Sequence, residues 1–185
     1  MYALDFHNQE NNNIFLDLGT NGEIVAGNKH QMFATSSAAG PAFEGGGIEC
    51  GGASINGAIY KIDDDLNIYT INNETPSCIC GTGLISIISY LRRHDLINEL
   101  GRFNDGSKRF DLCDNIYLTN QDIQNFLLAK AAIQTTLTIM LEKYENIEHV
   151  YISGGFGNKL NLDDLVTLNI ISPEIKDKVI IKKNT

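Results

Sequence analysis

The sequence predicts an α/β fold, a mixed sheet that starts with an antiparallel three-strand meander and carries helices on its faces. Three observations predict it. First, "IFLDL" (14–18), "EIVAG" (23–27) and "QMFATS" (31–36) are short strand-like runs joined by the brief turns Gly19–Gly22 and Asn28–His30. Connections this short leave neighbouring strands only the antiparallel arrangement. Second, residues 120–144 repeat apolar side chains at Ile123, Phe126, Leu127, Ile133, Leu137 and Leu141, with the stem of Lys130 in the same stripe. That is the period of an amphipathic helix. Third, "HVYIS" (149–153) is a continuous apolar run, as expected of a strand buried on both faces.

The remaining elements follow in order. Residues 1–12 are polar and Asn-rich and read as a tail or linker remnant, which leaves 13–185 as a single lobe. Residues 36–59 are dense in Gly, Ala and Ser, small residues that let backbone come close to a neighbour. This stretch is expected to hold a turn at Gly40-Pro41 and a helix from about Gly52 to Lys61. "LNIYTIN" (66–72) predicts a strand and "GTGLISIISYLRRHDLI" (81–97) a helix. Residues 98–115 predict a loop with short strands near Phe103 and Phe110. An α+β insertion over about 48–118 contains most of these. Thr119, with Asp122 three residues on, predicts the N-cap of the long helix. A short helix over 162–169 and a strand over 178–182 close the chain. Three antiparallel strands, an insertion, a long helix, a strand, a short helix and a strand give the topology of a ribonuclease-H-like lobe of an actin-like ATPase.

Composition narrows the function. The chain has 185 residues, 43% of them hydrophobic and 20% charged, which suits one globular domain. A net charge of −9 and a pI near 4.8 argue against nucleic-acid binding through a basic face. No apolar run approaches the roughly 18 residues of a membrane helix, so no membrane partner is expected. The N-terminus lacks a basic start and an apolar core, so a cytoplasmic location is expected. Cys50, Cys78, Cys80 and Cys113 do not make a paired C-x₂-C framework. They read as free thiols of a reducing compartment.

Four stretches can carry chemistry. In "DLGTNGE" (17–23) a carboxylate ends the first strand and a Gly-rich turn follows. Gly19 gives a phosphate steric access, N–H groups and a hydroxyl around Gly19, Thr20 and Asn21 can point at its oxygens, and Asp17 can hold Mg²⁺ through water. The same letters also fit a plain hairpin. "YISGGFGN" (151–158) ends a strand in a bare Gly pair, fit for a sugar-phosphate or simply for a tight strand-to-helix turn. Lys130 within an apolar stripe either snorkels to the surface or reaches an anion or purine. Gly81-Thr82-Gly83 starts a helix, where free N–H groups favour anions or merely await a cap.

Taken in order, "DLGTNGEIVAGN", "ATSSAAGPAFEGGGIECG", "CICGTGLI", "LTNQDIQNFLLAKAAI" and "VYISGGFGNKL" resemble the C-terminal ATPase region of reductive activators of corrinoid proteins, over roughly residues 13–181. Those are iron–sulfur proteins of the actin-like ATPase superfamily. They use ATP to drive the electron transfer that returns an inactive cob(II)amide to cob(I)amide, in the service of methyl transfer. The resemblance implies phosphate and Mg²⁺ contacts at Asp17, Gly19, Thr20, Asn21, Gly22 and Glu23. It implies adenosine contacts at Lys130, Gly154, Gly155 and Phe156, and a cleft or partner surface at Gly40, Glu44, Gly81 and Gly83. The cofactors it implies are ATP and Mg²⁺. An iron–sulfur cluster is expected only in a separate N-terminal domain, of which this sequence has no counterpart. The implied partners are a corrinoid protein and the remaining lobes of an activator, with room for a homodimer. Complete activators also carry an earlier Asp-Gly-Thr phosphate motif on another lobe, and they continue past "KVIIK" into a closing helix. Both are missing here, so the chain is expected to be a fragment that is incomplete for catalysis. The alternative is a non-catalytic interaction or dimerisation domain of the same fold.

Overall fold

The computed structural model describes residues 8–155 and 159–182. The chain runs through β1 (Asn13–Leu18), β2 (Gly22–Gly27), β3 (Met32–Ser37), a 3-10 turn (Pro41–Glu44), β4 (Ala58–Ile62), β5 (Ile68–Thr70), β6 (Cys78–Ile79) and α1 (Gly81–Arg93). It continues through β7 (Arg109–Cys113), β8 (Ile116–Thr119), α2 (Asn120–Lys143), β9 (His149–Gly154), α3 (Leu162–Thr167) and β10 (Val179–Ile181). The main sheet has the order β10-β9-β1-β2-β3. β1 pairs antiparallel with β2 and parallel with β9. The predicted meander and mixed sheet are therefore present, with boundaries shifted by one residue.

Alternation divides the sheet into two faces. Ile14, Leu16, Leu18, Ile24, Ala26, Val150 and Ile152 are fully buried on one face. Phe15, Val25 and Tyr151 share the other and are half-buried. The long helix α2 lies on the buried face. Its N-terminus is fixed by a capping box in which Thr119 accepts from the Asp122 N–H and Asp122 accepts from the Thr119 N–H. The buried stripe reads Ile123, Phe126, Ala129, Ile133, Leu137 and Met140. Ile133 packs so closely over Gly22 that a Cβ there would overlap it. Residues 9–12 dock on the same layer, with Lys29 N–H donating to Gln9 O and Glu148 N–H to Asn12 O, each at 2.8 Å.

The insertion differs most from expectation. The helix predicted from about Gly52 to Lys61 is absent. In its place stands β4, sandwiched between β5 and β6. Two causes are visible. Gly57 has φ +78, a helix-breaking conformation, and Gly51 and Gly52 sit tight against Gly45 and Cys78. "AIYKI" then pairs as a strand, antiparallel with β5 and parallel with β6. The strand predicted over 66–72 shrinks to β5, because Leu66 and Asn72 are left-handed. α1 stops at Arg93 rather than at 97, with Asp95 left-handed just beyond its cap. Phe103 forms only an isolated bridge to Ile97. β6 and β8 carry no clear signal of their own, being too short to show a period. Among the described residues no helix is long and apolar enough to cross a membrane.

Candidate functional site

β1 and β9 run parallel and in register and end together, Leu18 beside Gly154. From there the connections diverge, β1 folding back into β2 and β9 going on to α3 and β10 on the other side. The carboxyl edge of a sheet at such a switch point leaves a crevice for a ligand.

Asp17 reaches this edge in a transverse row formed by register, Ser36 beside Glu23, Glu23 beside Asp17, and Asp17 beside Ser153. The Ser153 hydroxyl donates to Asp17 Oδ1 at 3.0 Å, from a residue 136 positions away. Ser153 was not singled out in the sequence. Its hydroxyl two residues before Gly155 is a weak local signal, and only the β1–β9 register gives it a partner.

The β1–β2 turn forms the second wall. The Gly19 N–H donates to Asn21 O at 3.1 Å. The Thr20 hydroxyl donates to Glu44 Oε2 at 2.5 Å, tying the turn to the 3-10 segment. That segment is set by local chemistry, with Pro41 at its start and left-handed Gly40 (φ +75) and Gly45 (φ +79) on either side. Phe43 anchors it, 1% exposed and edge-on to Phe126 at 5.6 Å. Anchoring Phe43 holds Glu44 at the rim.

A hollow of about 160 Å³ opens here, lined by Phe43, Glu44, Ala53, Ser54, Gly81 and Gly155. Ala53 and Ser54 enter it because the expected helix is a loop. The glycines divide into two kinds. A Cβ on Gly19 would meet only ordinary contacts, at 3.6 Å from Asn21 O and 3.8 Å from Glu44 Oε1, and one on Gly155 would meet nothing within 4 Å. The fold does not require glycine at either position, yet both leave bare backbone at the rim. Gly81 and Gly83 are required by packing, against the Phe43 and Ile59 carbonyls, while a Cβ on Gly22 would displace the side-chain ends of Ile133 and Ser37.

Register thus sets Asp17 beside Glu23 and Ser153, the Thr20–Glu44 bond ties the turn to the 3-10 segment, Glu44, Gly81 and Gly155 line the hollow, and Asn21 lies exposed in the turn. Gly154 is buried in the end of β9. Gly22 and Gly83 are structural, and Gly40 has open space around it. Phe156 falls outside the described residues. Lys130 is not brought to this edge. It lines a separate cavity, between α1, α2 and the segment after α3, together with Arg92. A further hollow of about 270 Å³ lies beside α3, where Arg93 donates to Asp164 at 2.9 Å and to Asp64 at 3.0 Å. Arg93 and His94 hold the Asp64 carboxyl below the usual carboxylate range.

Among the described residues no group of three His, Cys, Asp or Glu side chains has the arrangement of a metal cage. The edge offers instead one serine-fixed carboxylate, Asp17, with Glu23 beside it in register and Glu44 bonded to the adjoining turn at Thr20. That suits Mg²⁺, which keeps several waters and shares one or two carboxylates with phosphate oxygens.

Comparison with known proteins gives a family. A family model described as the C-terminal domain of RACo, the ASKHA domain, matches residues 11–185. The corrinoid activation enzyme RamQ of Eubacterium limosum is 30% identical over 88% of this chain and 33% of its own length. A protein of Methanosarcina barkeri named [Co(II) methylated amine-specific corrinoid protein] reductase is 27% identical over 100% of this chain and 39% of its own. A solved reductive activator for corrinoid,iron-sulfur protein superposes with a TM-score of 0.85 at 31% identity, covering 96% of this chain and 33% of that one. The chain thus spans about a third of the length of these relatives.

Proposed function

The chain belongs to the RACo C-terminal, ASKHA family, and from that premise we propose that it is the nucleotide-binding lobe of an ATP-dependent reductive activator of corrinoid proteins. The observation that carries the reading is the sheet edge, where Asp17 is fixed by Ser153, Glu44 is tied to Thr20, and Gly19 and Gly155 leave the backbone bare. Asp17 would hold Mg²⁺ through water, and the Gly19–Asn21 turn would meet the phosphates. Gly154 and Gly155 would lie under the nucleoside. Bound Mg²⁺ supplies the positive charge that brings a phosphate chain to an edge carrying three carboxylates.

The Thr20 hydroxyl already donates to Glu44, so its contact to phosphate requires that bond to open or the phosphate to approach through the turn's N–H groups. Among the described residues no side chain at the edge is placed as a covalent nucleophile, so hydrolysis would rest on Mg²⁺ and an oriented water. The electron that reduces the corrinoid cobalt would come from an iron–sulfur cluster in another domain of the intact activator. ATP acts there by binding one conformation better than another, and it shifts the equilibrium by no more than that difference in affinity.

The experiment is calorimetric titration of this chain with Mg-ATP and Mg-ADP, repeated on Asp17→Asn. Binding that depends on Mg²⁺ and weakens at least about tenfold in the variant is expected. Equal binding by both proteins, or binding indifferent to Mg²⁺, would overturn the assignment of Asp17.

A further inference from the structure

The cavity that contains Lys130 has a volume of about 220 Å³ and shares no lining residue with the sheet edge. Arg92 at the end of α1 and Lys130 in the middle of α2 both line it, with Asn98 adding polar lining and Ile88 and Leu127 an apolar floor. Arg92 Nη1 donates to the Ile97 carbonyl at 3.1 Å. Among the described residues neither cation forms an ion pair, in a chain with 23 acidic and 14 basic residues. Glu99 also lines the cavity but pairs with neither. Burial, and then the Arg92 charge, push the Lys130 ammonium below the ordinary lysine range. Even with Glu99 in the lining the cavity carries one positive charge in excess, and two cations facing each other in a partly dehydrated hollow favour an anion between them.

We propose that this cavity is a binding site for a small phosphomonoester, its phosphate between Arg92 and Lys130 and its apolar body against Ile88 and Leu127. Two cations match a phosphate of about −1.5 to −2 better than a carboxylate of −1. The Arg92 guanidinium has donors left to grip it as a fork. The inference does not rest on the nucleotide reading.

The test uses phenyl phosphate as probe and benzoate, a monoanion of similar shape, as control, both titrated without Mg²⁺ and followed by calorimetry and thermal unfolding. Saturable binding of phenyl phosphate is expected, with benzoate at least about tenfold weaker. Lys130→Met should weaken phenyl phosphate at least about tenfold. Lys130→Arg should largely restore it, and Glu99→Gln should tighten it. Arg92→Gln should weaken it too. If losing the bond to Ile97 unfolds that variant, the Lys130 pair still decides. Thr20→Val should bind as the parent does. No saturable binding by the parent, undiminished binding by Lys130→Met, or loss in Thr20→Val alone would overturn the proposal, the last by placing the probe at the sheet edge.

Discussion

Two hollows of similar size lie on this molecule and carry opposite charge. The one at the sheet edge, about 160 Å³, has Glu44 in its wall, at the end of the sheet where Asp17 and Glu23 pair. The one between the helices, about 220 Å³, is lined by Arg92 and Lys130. They differ in how an anion can be received. The acidic edge needs a cation or bare N–H groups to bring phosphate in, so it suits a Mg²⁺-bound ligand. The cavity lined by Arg92 and Lys130 keeps a positive charge in excess of Glu99 and can receive an anion directly. They also differ in construction. Rigid elements fix the acidic edge, through parallel register, an anchored phenylalanine and Gly81, whose Cβ would meet the Phe43 carbonyl. Long flexible side chains supply the charge of the basic cavity, and of the two only Arg92 also holds backbone, through its bond to the Ile97 carbonyl.

That contrast can be broken or sharpened by mutation. The largest effect is expected at the packing glycines. A Cβ at Gly81 or Gly83 would run into the backbone carbonyl of Phe43 or Ile59, and backbone cannot step aside as a side-chain tip can. Gly83→Ala should cost about 2–3 kcal/mol in urea unfolding, the range for overpacking. Gly19→Ala and Gly155→Ala should stay within about 0.5 kcal/mol of the parent while weakening Mg-ATP binding. If Gly83→Ala is tolerated, the edge is less rigid than described.

A smaller loss, about 1 kcal/mol, is expected for Thr20→Val, which leaves Glu44 without its hydroxyl donor. Chemical denaturation would read it, and a loss near zero would mean that the turn and the 3-10 segment hold their places independently.

Lys130→Met should act in the opposite direction and stabilise the free protein, by no more than about 0.5 kcal/mol once solvent screening of a half-exposed cation is allowed for. The sign follows from the depressed pKa. The folded state binds this proton less well than the unfolded chain does, so the penalty is present below the folded pKa and fades as pH rises through it. The difference between variant and parent, measured by thermal unfolding across alkaline pH, should therefore shrink as pH increases.

The smallest effect is expected for Asp64→Asn at the exposed partner of Arg93 and His94. Its carboxyl is held low, so its contribution is present above the unfolded carboxylate pKa and is lost as pH falls through the folded one. Parent and variant should unfold at closely similar temperatures at neutral pH and converge in acid.

Sequence reading recovered the main sheet almost residue for residue. The meander, the Thr119 capping box and the buried β9 each have a signal within a few residues, a short turn, a cap spacing or an apolar run. The insertion was misread where glycines and small residues leave no period to follow. "GGASINGAIY" looks helical only if Gly57 is ignored, and β6 has two residues. The candidate site divides the same way. Asp17, the Gly19–Asn21 turn and Gly155 carry a local mark, a strand end or a bare glycine, whereas Glu44 was named only through the family resemblance. Ser153 was not, because its bond to Asp17 spans 136 positions.

The sequence by itself determined the elements of the main sheet and the long helix, and where the first strand must end in a carboxylate and a glycine turn, since caps, turns and periodicity are local physics. Only the tertiary structure decided which of those residues meet. Parallel register put Ser153 on Asp17, and close helix packing claimed Gly22 and Gly83 for the core. The face of α2 carried Lys130 away from the sheet edge to Arg92, because contact across a fold is set by how layers stack and not by spacing along the chain.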